Sequence, residues 1–222
     1  MRQSLEILRI EPPWSLEDLR QGARELVEAA RIHEGLLRVT VTAGERPNTR
    51  GSATIASREL PEAPPQPALH VASAARRLTG PLSQCKSISR VAESVALREA
   101  QEEGAFDAIL LNDKGRVAET TARNLFVVAA GVLWTPPTYD GALAGVTRAA
   151  VLEIAARQKI KTLEASFAVE QLRAAEEVFL TGSGVGVLGI AAVDGRRYAT
   201  PGPMTRRVQT AYADLLETDS RW

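Results

Sequence analysis

The sequence predicts an α+β fold in two parts, and three observations predict it. Segments of strand and of helix character follow one another with hairpin turns between them, not in strict alternation. A run with four prolines in seven residues, Pro61 to Pro67, interrupts the pattern once and cannot lie inside a helix or a central strand. The 222 residues, 45% of them apolar and 24% charged, suffice for one large core or for two modest ones. The expected organisation is a partial small α/β domain over 1–60, a proline-rich linker over 61–67 and a large domain over 68–222.

In the small part, Ser15 to Ala30 carries Leu16, Leu19, Ala23, Leu26 and Val27 at helical spacing. Ser15 serves as N-cap, with Asp18 three residues on. Gly35 to Ala43 alternates and is rich in Val and Thr, the mark of a strand, and GERPNTRGS supplies the turn after it. A second strand begins near Ile55. Beyond the prolines, 92–103 reads as a helix ending at Gly104, and 106–111 as an apolar strand closed by a turn at Asn112 to Gly115. A strand pair, 124–129 and 132–135, surrounds Gly131, and a helix over 147–158 is entered from Gly145. A strand near Thr162, a short helix over 169–174, a strand over 177–181, a hairpin at Asp194-Gly195 and a helix over 204–216 complete the chain.

Composition removes several function classes. The 27 basic and 27 acidic residues cancel, so no net field holds a nucleic acid or an acidic membrane surface. No apolar run reaches spanning length. Cys85 is the only cysteine, so no disulfide framework can form within the chain and a reducing, cytoplasmic setting is expected. His33 and His70 fall in different predicted domains, without a second Cys or an acidic cluster at ligand spacing. Neither a metal centre nor a Ser-His-Asp triad is expected.

Gly184, Gly186 and Gly189 spell G-x-G-x-x-G after a predicted strand. A dinucleotide fingerprint must open a long crossover helix, and the turn at Asp194-Gly195 comes too soon for one. The glycine-rich turn beside Thr181 and Ser183 can still offer backbone N–H groups to a phosphate. Only four of the 27 basic residues are lysines. Lys114 lies in a turn and Lys159 and Lys161 flank a helix end, all solvent-type positions; Lys86 does not fit that description. Taken alone, Glu119 reads as an edge charge, and Arg38 and Arg50 as surface residues on a strand and in a turn.

Four segments taken together resemble the pyridoxal-phosphate enzymes of fold type IV, the group of class IV aminotransferases and aminodeoxychorismate lyases. CKSISRVAE is similar to the lysine segment of that family, which implies that Lys86 forms the Schiff base with the cofactor. LLNDKGRVAETTARNLFVV resembles the stretch whose glutamate, here Glu119, faces the pyridine nitrogen. LAGVTRAAVLEIA is similar to the L-x-G-[IV]-T-R helix start, implying that the N–H groups of Val146 and Thr147 cradle the phosphate. AAEEVFLTGSGVGVLGI resembles the strand and small-residue loop that place Ser183 and Gly184 on the phosphate's other side. The ending GPMT, 202–205, also fits.

The resemblance implies a small N-terminal domain, a larger domain built on a mixed pseudo-barrel sheet, pyridoxal 5'-phosphate as cofactor, a small-molecule amino substrate and a homodimer. The residue types suit the chemistry: a lysine amine exchanges with the substrate amine and then moves a proton, while a carboxylate keeps the ring nitrogen protonated. GLLRVTVTAGERPNTRGS resembles the lyases, which implies that Arg38 and Arg50 meet substrate carboxylates as bidentate forks; Arg90 also looks more like the lyase pattern. The expectation leans to 4-amino-4-deoxychorismate lyase, yielding 4-aminobenzoate and pyruvate. A D-amino-acid or branched-chain aminotransferase is the alternative. The family segment that precedes MRQSLEILRI has no counterpart here, implying a truncated small domain and leaving a non-catalytic member as a further alternative.

Overall fold

The computed structural model describes residues 1–12, 14–44, 51–60 and 62–219. By packing, the chain divides into two compact units, Met1–Glu62 and Ala63–Trp222.

The first unit holds two helices, α1 (Arg2–Leu8) and α2 (Leu16–Ala30), and a hairpin of β1 (Leu36–Val41) and β2 (Ala53–Arg58). At the start of α2 the Ser15 hydroxyl accepts the Asp18 amide while the Asp18 carboxylate accepts the Ser15 amide, the expected capping box. The strands run antiparallel, with Val39 opposite Ile55, and Gly22 of α2 lies close against Ile55.

The second unit is a layered α+β body. Its elements are β3 (Ala68–Val71), α3 (Val91–Glu102), β4 (Asp107–Leu111), β5 (Val117–Thr120), β6 (Asn124–Ala129), β7 (Val132–Thr135), α4 (Val146–Arg157), β8 (Thr162–Glu164), α5 (Val169–Ala174), β9 (Glu177–Gly182), β10 (Gly186–Gly189), β11 (Ala192–Val193), β12 (Arg196–Arg197) and α6 (Pro203–Asp219). They form two mixed five-stranded sheets, ordered β10-β9-β6-β7-β8 and β12-β11-β3-β4-β5. Parallel pairs are β7 with β8, β11 with β3, and β3 with β4.

β6 shows why the sheets stack. Its run NLFVVA is apolar on both faces, as a strand covered on both sides must be. Leu125 and Val127 join Leu69, Ile109, Val117, Val178 and Leu180 in the core between the sheets. Phe126 and Val128 point the other way, joining Val151 and Ala155 of α4 and Val208 of α6, with the Phe126 and Phe179 rings stacked 5.0 Å apart. On the far side α3 packs through Ala96 and Ala100 against Ala108 and Leu110, the small side chains permitting close approach. The glycine-rich turn after β9 reverses directly into antiparallel β10, with Val187 opposite Thr181, so no crossover helix follows it.

Candidate active site

Glu119 sits on β5, buried, with 7% of its surface exposed. The solvated edge charge suggested by its position alone is not what the fold makes of it. Its Oε1 lies 2.9 Å from Arg77 Nη2. Its Oε2 accepts from Asn124 Nδ2 at 3.0 Å and from the Leu143 amide at 2.9 Å. Burial nonetheless dominates and pushes the carboxyl up from 4.5 to about 7, against the opposing pull of Arg77, the Leu143 amide and Lys86. Lys86 is thus within charge reach of Glu119. It lies exposed between the 3-10 turn Pro81–Gln84 and α3.

Asn124, first residue of β6, is the junction of the site. Besides Glu119 it donates to Leu143 O at 2.8 Å, and it stands opposite Thr181 in the β6–β9 register. Gly145 approaches so closely that a Cβ there would collide with Asn124 Oδ1. The segment Leu143 to Gly145 is therefore seated on the pair Asn124 and Glu119, and it leads straight into α4. Gly145 supplies no side-chain cap, and the first turn of α4 carries no acidic residue. The first-turn N–H groups, those of Val146 and Thr147 among them, are thus left without a side-chain cap, an arrangement that suits an anion. Arg148 anchors this start from behind, donating to Pro136 O at 3.0 Å and Glu164 at 2.7 Å.

The β9–β10 turn with Ser183 and Gly184 follows Thr181 along the strand paired with Asn124, and Gly182 lies against Arg123. The Thr181 hydroxyl is buried without a hydrogen-bond partner. The link after Glu119 is held by buried Asp107, which accepts from the hydroxyls of Thr120 at 2.9 Å and Thr121 at 2.6 Å and pairs with Arg123 at 2.7 Å.

Glu119, Val146, Thr147, Ser183 and Gly184 belong to the second unit, on segments joined through Asn124, Leu143 and the Glu119 carboxylate; Lys86 belongs to the same unit, on the segment that follows Gln84, whose Nε2 donates to Thr138 O and Ala142 O. Arg90 donates to Thr121 O, which fixes it beside the turn that follows Glu119. Arg38 lies exposed on β1 in the first unit, and Arg50 falls outside the described residues. Sequence reasoning missed Arg77, Asn124 and Arg148. Among 27 basic residues Arg77 carries no signal, whereas the other two had one: Arg148 closes the L-x-G-[IV]-T-R motif, and Asn124 is a polar residue opening an otherwise apolar strand. Among the described residues no group of three His, Cys, Asp or Glu side chains is placed to hold a metal ion.

The chain matches the family described as amino-transferase class IV over residues 1–193. A branched-chain-amino-acid aminotransferase of Pseudomonas aeruginosa is 36% identical over 134 residues, 58% of this chain and 43% of that protein. A D-alanine aminotransferase of Bacillus licheniformis is 29% identical over 222 residues, 95% of this chain and 78% of that protein. Among solved structures, the T.th. branched-chain amino acid aminotransferase with pyridoxamine 5'-phosphate is similar at a TM-score of 0.87 and 27% identity, covering 96% of this chain and 75% of that one.

Proposed function

This chain belongs to the amino-transferase class IV family, whose members use pyridoxal 5'-phosphate, and from that premise we propose that it transfers the amino group of a small amino acid with Lys86 as its catalytic lysine. The observation that carries the reading is buried Glu119, within charge reach of Lys86 and tied through Asn124 and Leu143 to the uncapped start of α4. The residues fit the cofactor: a buried carboxylate suits a protonated ring nitrogen, and an acid-free helix start suits a phosphate. The unpartnered Thr181 hydroxyl at the base of the β9–β10 turn is a further polar group in that region.

Lys86 Nζ would hold the cofactor's aldehyde carbon, with Glu119 facing its ring nitrogen. The N–H groups of Val146 and Thr147, with Ser183 and Gly184, would hold its phosphate. When bound, the cofactor supplies an electron sink for the carbon that loses a proton. Lys86 would be the base beside that carbon, able to take its proton and to give it back. Glu119 keeps the opposite end of the sink charged, and Asn124 and Leu143 stop its carboxylate from turning away.

Relatives that act on branched-chain amino acids and on D-alanine support aminotransfer over the lyase reaction expected from Arg38, Arg50 and Arg90. Exposed Leu78, Leu82, Ile88, Val91 and Tyr139 in the second unit support assembly as a homodimer. Borohydride trapping of pyridoxal phosphate followed by peptide mapping tests the lysine: the adduct should sit on Lys86 and vanish in Lys86→Ala. An adduct elsewhere removes the assignment. Assay with D- and L-amino acids should show turnover only with a keto acid present; pyruvate release from aminodeoxychorismate with no keto acid would make the protein a lyase.

A further inference from the structure

We propose that Arg77 is the positioning residue of this site: one guanidinium holds the Glu119 carboxylate and the loop bearing Lys86 in a fixed relation before any cofactor arrives, and divides its charge between Glu119 and Glu93. The functional weight of this inference rests on the reading of Lys86 and Glu119 above. Arg77 is fixed from the backbone outward. Its amide donates to Leu111 O at 2.8 Å, and it bridges Asn112 at the end of β4. The segment before it is clamped by Glu99 of α3, whose carboxylate accepts the Ser73 hydroxyl and the Ala74 and Ser73 amides; these bonds hold Glu99 down at about 2.

The side chain, 14% exposed, reaches four different segments. Nε donates to Gly141 O at 2.9 Å, Nη1 to Glu93 Oε1 at 2.5 Å, and Nη2 to Ser83 O at 3.0 Å and to Glu119 Oε1 at 2.9 Å. Ser83 stands three residues before Lys86, and Gly141 two before Leu143, so both sides of the site close on this group. Gly141, at φ +102°, packs against Arg77 Cγ and Leu78 O with no room for a Cβ. Only the planar fork of arginine presents donors in so many directions at once.

The charges facing Glu119 are Arg77 and Lys86 as cations and Glu93 as an anion. Of these only Arg77 is in direct contact with both carboxylates, so one guanidinium is shared by Glu119 and Glu93. A protonated ring nitrogen is the charge that completes the set.

The test uses the whole chain without cofactor. The Glu119 carboxyl is titrated by carbon-13 NMR, its resonance assigned with E119Q, and amide hydrogen exchange is followed over 78–90. Arg77→Met should raise the Glu119 midpoint by about one unit or more and speed exchange in the loop. Arg77→Lys should keep most of the midpoint yet loosen the loop, because it retains charge without the fork. Glu93→Gln leaves the guanidinium in place and should lower the midpoint, since the charge is no longer divided. An unmoved midpoint in Glu93→Gln, or slow loop exchange in Arg77→Lys, overturns the proposal. Normal trapping at Lys86 with an unmoved midpoint defeats the Arg77 proposal alone. Failed trapping with the shifts as expected defeats the proposed function alone.

Discussion

Glu119 enters the fold as a carboxyl surrounded by three hydrogen-bonding groups and still raised by burial from 4.5 to about 7, so its ionisation works against folding of the cofactor-free protein. The sign follows from linkage. A carboxyl whose folded value exceeds its unfolded one contributes stability that is complete below the unfolded value and is lost as pH rises through the folded value. The window here runs from 4.5 to about 7, and the loss at pH 8 is on the order of 3 kcal/mol. Glu119→Gln keeps the shape and an acceptor for Leu143 N or Arg77, which also remains held by Glu93, Ser83 and Gly141. Chemical denaturation of the apoprotein should therefore find this variant more stable than the parent at pH 8 and level with it near pH 4. Parallel stability curves across that range would mean the buried carboxyl is already neutral or better solvated than its surroundings suggest. At this scale Lys86 stands out in the sequence because lysines are rare in the chain, although the structure leaves it exposed and so does not set it apart from the solvent-type lysines; Arg77 is hidden because arginines are common, and only the fold separates it from the others.

Among the elements, those carrying a strong period were read closely. Helix 169–174 coincides with α5, and the strand pair around Gly131 with β6 and β7. Three others escaped for separable reasons. α1 has no buried residue, hence no apolar stripe to reveal it. β3 is four residues long and follows the prolines. β10 begins and ends on Gly186 and Gly189, two of the three glycines that imitate a nucleotide loop. The segments AAEEVF and GPMT, noted as separate motifs, prove to be one device. The Glu177 carboxylate of β9 accepts the amides of Met204 at 2.9 Å and Thr205 at 2.8 Å and the Thr205 hydroxyl at 2.6 Å, capping α6 from another strand. Gly202 is required because a Cβ there would overlap that carboxylate. Glu177→Ala should cost about 2 kcal/mol through the unsatisfied buried donors. Gly202→Ala should be costly in the parent but nearly neutral in the Glu177→Ala background, where the obstruction is gone. Additive costs in that double-mutant cycle would show that Gly202 serves its backbone conformation and not the carboxylate.

At the scale of the molecule, the three hydrophobic clusters among the described residues lie wholly between Leu69 and Val208, inside the second unit. In the first unit Leu19 is the sole buried apolar side chain among the described residues. Burial of apolar surface is the main term opposing chain entropy, so nearly all of it is concentrated on one side of the Pro61–Pro67 run. The site described above draws its Lys86, Glu119, Asn124, Arg77 and α4 start from that same side, and its geometry therefore depends on the larger core. We propose that residues 68–222 form a domain able to fold alone, with 61–67 as linker. A chain of residues 63–222 should melt in one cooperative transition by calorimetry and give native-like near-ultraviolet circular dichroism. Residues 1–62 alone should show helix content without a cooperative melt, because one buried leucine cannot offset the ordering of a unit that size. A non-cooperative, dye-binding 63–222 would place the stability of the larger core in the first unit instead, and would make the arrangement around Glu119 a property of the whole chain.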